Sequence, residues 1–236
     1  MLRVLHEYQA GDHTQFLEET TRMRDEVGCR SAELYRSIGS AASFALATVW
    51  EDEPAYWRWW AGVVGGSYPN LFSLVCTGQP SEFYHQQGFQ LADSVWAPAD
   101  LDEGDRKIFW PARGPVRIII ETAFEPSEAL RGGLLADVAE TRREPGCVAY
   151  DWLENVELAG HLLLLELWSD QVIYDRHWAI RLSTAGFRGN PPPMVAPQRG
   201  ALTAEFYRQQ QFRHQYDRWM PVEASLYATA ISWPAS

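Results

Sequence analysis

The sequence predicts an α+β protein built from one module used twice. Two observations predict it: an internal repeat, and a strand, helix, strand, strand, helix, strand order within each copy. Glu82-Phe83-Tyr84, Gln86-Gln87, Phe89, Trp96 and Pro98 recur in order and spacing as Glu205-Phe206-Tyr207, Gln209-Gln210, Phe212, Trp219 and Pro221. A second block matches Gly28-Cys29, Leu46, Trp50, Asp52, Tyr56, Arg58, Trp60 and Ala61 with Gly146-Cys147, Leu164, Trp168, Asp170, Tyr174, Arg176, Trp178 and Ala179. The offset is 118 residues in this block (Gly28 to Gly146) and 123 in the other (Glu82 to Glu205), so an insertion of five residues separates them.

In the first copy, Leu2 to Tyr8 is expected as a strand, and Asp12 with Gln15 has the form of a capping box before a helix to about Asp25. Arg30 to Ser37 and Ala41 to Trp50 pair as strands through Ile38-Gly39-Ser40. Asp52 to Val63 is helical, with Pro54 tolerated in the first turn. In the second copy, Val116 to Ala123 is rich in β-branched residues, and Ser127 caps a helix whose Leu130, Leu134, Leu135 and Val138 share a face. Glu144-Pro145-Gly146 stops that helix, because proline cannot extend the hydrogen-bond ladder and glycine accepts a left-handed turn. Cys147 to Glu154 and His161 to Trp168 are strands, and Asp170 to Leu182 is a helix. Irregular stretches rich in Gly, Pro and Asn follow, Gly65 to Asn70 and Gly186 to Gln198, before the Phe83 and Phe206 segments close each copy as strands.

This order is the ferredoxin-like plan. A four-stranded sheet with helices on one face needs cover on the other, and two linked copies supply it by packing sheet to sheet. The modules are placed at 1–105 and 106–236, with the boundary in the acidic stretch between Ala99 and Gly114.

Composition narrows the function. A net charge of −11 opposes a nucleic-acid partner, which would need clustered Lys and Arg. No run approaches the roughly 18 apolar residues of a membrane span, and no basic leader opens the chain, so a cytoplasmic protein is expected. The three cysteines, Cys29, Cys76 and Cys147, cannot all pair and lack metal-ligand spacing. Eleven Trp, ten Tyr and ten Phe exceed what two small cores usually require. An aromatic-lined cavity is one explanation; wide cores with an interface are the other.

Glu144-Pro145-Gly146-Cys147, a strand containing Tyr150, and Glu166-Leu167-Trp168 followed by His177 resemble the antibiotic biosynthesis monooxygenase family. In the first copy Gly28-Cys29 and Trp50 hold, but Thr48 replaces the Glu and Trp59 the His. The resemblance implies tandem ferredoxin-like modules that form an intramolecular dimeric α+β barrel, and an oxygenase that tailors aromatic polyketides. Among tandem members, the angucycline ring-opening oxygenases are the nearest likeness. They imply reduced FAD or FMN as a diffusible co-substrate from a separate flavin reductase, with no metal. The cofactor-free, quinone-forming members carry an Asn four residues before the strand Trp; here that position is Leu46 or Leu164. That departure favours reduced flavin over the anthrone-type, cofactor-independent route.

Dioxygen is a triplet and needs a donor of single electrons. The sequence has neither a compact His/Asp/Glu set for iron nor a Gly-rich dinucleotide fingerprint, so substrate or diffusible flavin is expected to supply them. His177 is the candidate base, since imidazole takes a phenolic proton near neutral pH; a structural hydrogen bonder is the other reading. Glu166 alternates with Leu162 and Leu164 on the Trp168 side, where burial would raise its pKa, and it is either an acid–base group or a satisfied sheet carboxylate. Trp50, Trp60, Trp168, Trp178 and Tyr174 are candidate flat walls for a polycycle. Tyr207, Arg208 and His214 are further candidate contacts, although the Glu-Phe-Tyr motif also reads as a structural joint. A metabolite-binding protein without chemistry, or a cyclase on the same fold, remains a rival, as does the choice between a monomer with an internal pseudo-dimer and a homodimer.

Overall fold

The structure, a computed structural model, describes residues 1–92, 95–99, 114–183 and 194–222. In chain order the first repeat supplies β1 (Leu2–Gln9), α1 (Thr14–Met23), β2 (Cys29–Ser37), β3 (Ser43–Trp50), α2 (Glu53–Val64), α3 (Pro69–Thr77), β4 (Ser81–His85), β5 (Phe89–Ala92) and β6 (Val95–Pro98). The second supplies β7 (Val116–Ala123), α4 (Glu128–Thr141), β8 (Cys147–Asn155), β9 (His161–Trp168), α5 (Gln171–Ser183), β10 (Thr203–Arg208), β11 (Gln211–Gln215) and β12 (Arg218–Pro221). The α+β class and the tandem ferredoxin-like order are both present. The boundary expected between 105 and 106 lies outside the described residues.

Contacts divide the chain into two compact units, Met1–Gln86 with Gln210–Ser236, and Gln87–Gln209. In the first, the strands run in the order β2, β3, β1, β4, β11, β12. In the second, β10, β7, β9 and β8 form the sheet, and β5 pairs with β6 as a separate hairpin. Both contain the ferredoxin-like order of fourth, first, third and second strand. Each unit also holds the terminal hairpin of the other repeat: β11 adds to β4 in the first unit, and Gly88 bridges to Glu205 in the second. The chain leaves one unit for the other inside each Gln-Gln pair, at 86/87 and 209/210.

Local chemistry explains most boundaries. Ser127 accepts from the Leu130 amide at 3.1 Å, so its predicted cap forms, and Asp52, expected inside the helix, instead caps α2 by accepting from the Ala55 amide at 2.8 Å. Asp12 does not cap α1. It accepts from the Thr14 amide and hydroxyl in a turn that precedes the helix, and His13 is the N-cap without a side-chain bond. The α4 helix ends at Thr141, ahead of Glu144, and its expected apolar face is shallow: Val138 is buried but Leu135 is exposed.

Gly28 and Gly146 hold the same role in the two units. Both adopt φ of +86°, and their carbonyls accept from Glu51 and Ser169 just ahead of α2 and α5. A β-carbon at Gly28 would lie 2.5 Å from Ala55 Cβ, and one at Gly146 2.6 Å from Ile173 Cγ2. Only glycine therefore lets the loop and helix meet this closely.

The helix α3 was not expected, because Gly65 to Asn70 reads as irregular. Its first turn is held from α1: the buried Glu19 carboxylate accepts from the amides of Asn70 and Leu71 at 3.1 and 2.7 Å, and from the Asn70 side chain at 3.0 Å. A carboxylate at a helix N-terminus satisfies orphan amides and complements the dipole.

Candidate active site

The second unit places a polar group between α4, β8, β9 and α5. Alternation along β9 turns Glu166 and Trp168 to the same face, and the Trp168 indole donates to Glu166 Oε2 at 2.7 Å. Glu166 is only 3% exposed, and burial pushes its carboxyl up to about 8 against the opposing effect of the Trp168 N–H; Asp137 raises it further. His177, on α5, lies with its ring centroid 4.5 Å from that of Trp168. Its Nδ1 is 2.9 Å from Glu144 Oε2. A carboxylate only accepts, so Nδ1 donates and Nε2 keeps the lone pair. Burial lowers the His177 pKa, and the Glu144 hydrogen bond and charge partly restore it.

Glu144 is thus more than a helix stop. Asp137 accepts from the Tyr150 hydroxyl at 2.6 Å and the Trp152 indole at 3.2 Å, and pairs with Arg181 at 2.7 Å. Arg181 also lies 3.9 Å from Glu144 Oε1. Burial holds the Tyr150 phenol well above its ordinary range, with Glu166 and Asp137 adding to the effect. Near neutral pH the group therefore offers a protonated carboxylic acid, Glu166, and a neutral imidazole, His177, on two sides of one indole. Two titratable groups pushed apart by their surroundings form the usual acid and base arrangement.

The equivalent region of the first unit keeps Glu19 and Glu26 at the positions of Asp137 and Glu144 but has no imidazole or carboxylate at those of His177 and Glu166. At the 118-residue offset Thr48 stands for Glu166, Trp59 for His177, Ala32 for Tyr150 and Val63 for Arg181. Trp50 donates to Thr48 at 3.0 Å, and Trp59 packs 5.3 Å from Trp50. Glu26, the counterpart of Glu144, accepts from the Tyr68 hydroxyl at 2.5 Å instead of an imidazole. The two regions share a frame and differ in chemistry.

The family model described as antibiotic biosynthesis monooxygenase matches residues 1–62 and 125–179. The chain carries that monooxygenase domain. The matched segments fall in each repeat, and the second ends just beyond His177. Among solved structures the chain is similar to Rv0793 from Mycobacterium tuberculosis, at 30% identity over 37% of this chain and 98% of that one, with a TM-score of 0.28. It is also similar to a candidate monooxygenase from Lactobacillus acidophilus, at 11% identity over 94% and 98% of the two chains, TM-score 0.32. An anthrone oxidase-like protein shows 13% identity over 89% and 92%, TM-score 0.33. TM-scores this low bear on neither chemistry nor substrate. A comparison with curated proteins found no significant match.

The other candidate residues of the monooxygenase domains are distributed between the units. Tyr174 is buried 6.3 Å from Trp168 and 6.2 Å from His177, and Trp178 packs 5.3 Å from Trp96. Both belong to the second unit with Trp168. Trp50 is fully buried in the first unit, against Tyr56 and Trp59. Trp60 and His214 also lie there, 5.1 Å apart, each against Trp219. The Tyr207 hydroxyl donates to buried Glu205 at 2.6 Å and accepts from the Gln87 amide at 3.2 Å; Tyr84 repeats this with Glu82 at 2.8 Å and the Gln210 amide at 3.3 Å. Arg208 is half-buried near Gly114. Leu46 and Leu164 are buried, so neither position brings a polar group. Cys29 and Cys147 are free and half-buried, their thiols raised by burial to about 12 and about 11, which removes them as nucleophiles. Among the described residues no helix is long and apolar enough to cross a membrane.

Proposed function

We propose that the chain is an oxygenase for a phenolic or hydroquinone polycycle of the aromatic polyketide type, with its reactive site in the second repeat. The observation that carries this reading is the Glu144–His177 pair set against the Trp168–Glu166 pair, with Trp59 and Thr48 at the positions of His177 and Glu166 in the first repeat. His177 Nε2 takes the phenolic proton, which makes the ring electron-rich. Protonated Glu166 returns a proton as oxygen is reduced, and the indoles exclude water.

The electrons come with the reactants. Inserting one oxygen atom and releasing the other as water uses two electrons, which a diffusible reduced FAD or FMN from a separate reductase supplies. Trp168 packs edge-on to Tyr174 and Trp178 packs on Trp96, and a planar ring system bound beside His177 would extend this aromatic packing. An anthrone needs no such donor, because oxidising its CH2 to a carbonyl provides all the electrons required to reduce the second oxygen atom. The buried leucines at 46 and 164 favour the flavin-assisted route, including carbon–carbon cleavage of the Baeyer–Villiger type.

The test is turnover of a phenolic polycycle under 18O2, with and without reduced FMN, followed by product mass. One labelled oxygen in the product, dependent on reduced FMN and lost in His177→Ala, is expected. Tight binding with no oxygen uptake would identify a carrier instead, and an unlabelled isomer a cyclase.

A further inference from the structure

The first unit contains a cavity of about 440 Å³ between the end of β1, α1, α3 and β11, lined by Tyr8, Phe16, Ser73, Leu74, Thr77 and Arg213 among others. This is within the range that accepts small organic ligands. Its walls and its charge point to one class of occupant. Tyr8 and Phe16 meet edge to face with centroids 5.2 Å apart, and Leu74 is buried beside them, so one part is aromatic and aliphatic. Arg213 supplies the charge. Its Nη1 donates to the Gly78 carbonyl at 3.2 Å, and among the described residues it has no carboxylate partner. A half-buried guanidinium without a counterion is unusual in a chain of net charge −11.

Tyr8 is 4% exposed and its hydroxyl oxygen is fully buried, so the residue offers the cavity its ring, and Arg213 is the charged group that meets an occupant. One cation matches a single negative charge. The cavity also borders the C-terminal end of α3, where Thr77 and Gly78 lie; the negative helix end opposes anions, a doubly charged phosphate more than a monoanion.

We propose that this cavity is a second small-molecule site, separate from the Glu166 and His177 region, that binds a planar aromatic monocarboxylate. The ring lies against Tyr8, Phe16 and Leu74, and the carboxylate accepts from Arg213. Such a ligand would be a free acid related in shape to a polycyclic substrate, bound without turnover.

Calorimetric titration of the intact chain with 1-naphthoate and with 1-naphthalenemethanol tests it, because the probes share rings and differ in charge. The carboxylate is expected to bind about tenfold more tightly than the alcohol. In Arg213→Gln the two should fall within about twofold of each other, and Arg213→Lys should keep a preference for the acid. His177→Ala should alter neither probe, which separates this site from the proposed reactive one. Equal affinities in the wild type, no binding at millimolar concentration, a preference that survives Arg213→Gln, or one lost in His177→Ala would overturn the proposal.

Discussion

Glu166 and His177 respond to burial in opposite senses, and both responses favour their neutral forms. For Glu166 the folded pKa is raised from an ordinary 4.5 to about 8, so its contribution to stability is fully present below 4.5 and is lost as pH rises through about 8. Urea unfolding across that window should show the wild type losing about 1.4 kcal/mol per pH unit relative to Glu166→Gln. For His177 the folded pKa is lowered, so its contribution is present above the ordinary 6.5 and fades as pH falls through the folded value. Glu144→Gln removes a group that favours the imidazolium, which lowers the His177 pKa further. The acid limb of kcat/KM should move to lower pH, and kcat should fall about tenfold as Nε2 loses its orientation. Glu166, Trp168 and His177 were legible in the sequence as candidates because alternation and a family resemblance picked them out. Glu144, Asp137 and Arg181 were not: each sits at a helix end or on a helix face where a charged residue ordinarily points to solvent. The usable signal was the repeat itself, since Val63 facing Arg181 at the same offset marks a place where only one copy requires a cation.

The recurring device at the scale of elements is the glycine that lets a loop approach the helix after the third strand. Gly146→Ala puts a β-carbon against Ile173 in a left-handed conformation, which should lower stability by about 2 kcal/mol. It should also slow turnover, since Ile173 shares α5 with His177. Gly28→Ala meets Ala55 on α2 and should cost similar stability while leaving the rate unchanged; chemical unfolding and initial rates on both variants check the pair. Strands and the α4 start were legible because Ser127 caps locally and β7 and β9 carry the apolar runs Ile118 to Ile120 and Leu162 to Leu165. The helix α3 was hidden because its N-terminal partner, Glu19, is some 50 residues away in sequence. The hairpins of β5 with β6 and of β11 with β12 were missed for a related reason. Their rings pack against the other repeat, with Phe89 against Phe206 and Trp219 against Phe83 at 4.8 Å in both cases, so no local pattern announces them.

For the whole molecule, duplication kept the frame and released the chemistry. The Glu-Phe-Tyr-x-Gln-Gln motif belongs to the frame: each copy ends where the chain passes between compact units, and each Tyr hydroxyl ties a buried Glu to a Gln amide from the other repeat. Tyr84→Phe and Tyr207→Phe should each lower the unfolding free energy by about 1–3 kcal/mol with KM unchanged, as measured by denaturant titration and steady-state kinetics. The reactive role that we propose falls, in contrast, to the second repeat, where Glu166 and His177 stand at the positions of Thr48 and Trp59 in the first. The most direct test is the initial rate of oxygen consumption, with a phenolic polycycle and reduced FMN, in His177→Ala and in Trp59→Phe. The first variant should be slower by about a hundredfold or more and the second should stay within about twofold of wild type. An unchanged rate in His177→Ala, or an equal loss in both variants, would contradict the assignment of chemistry to the second repeat.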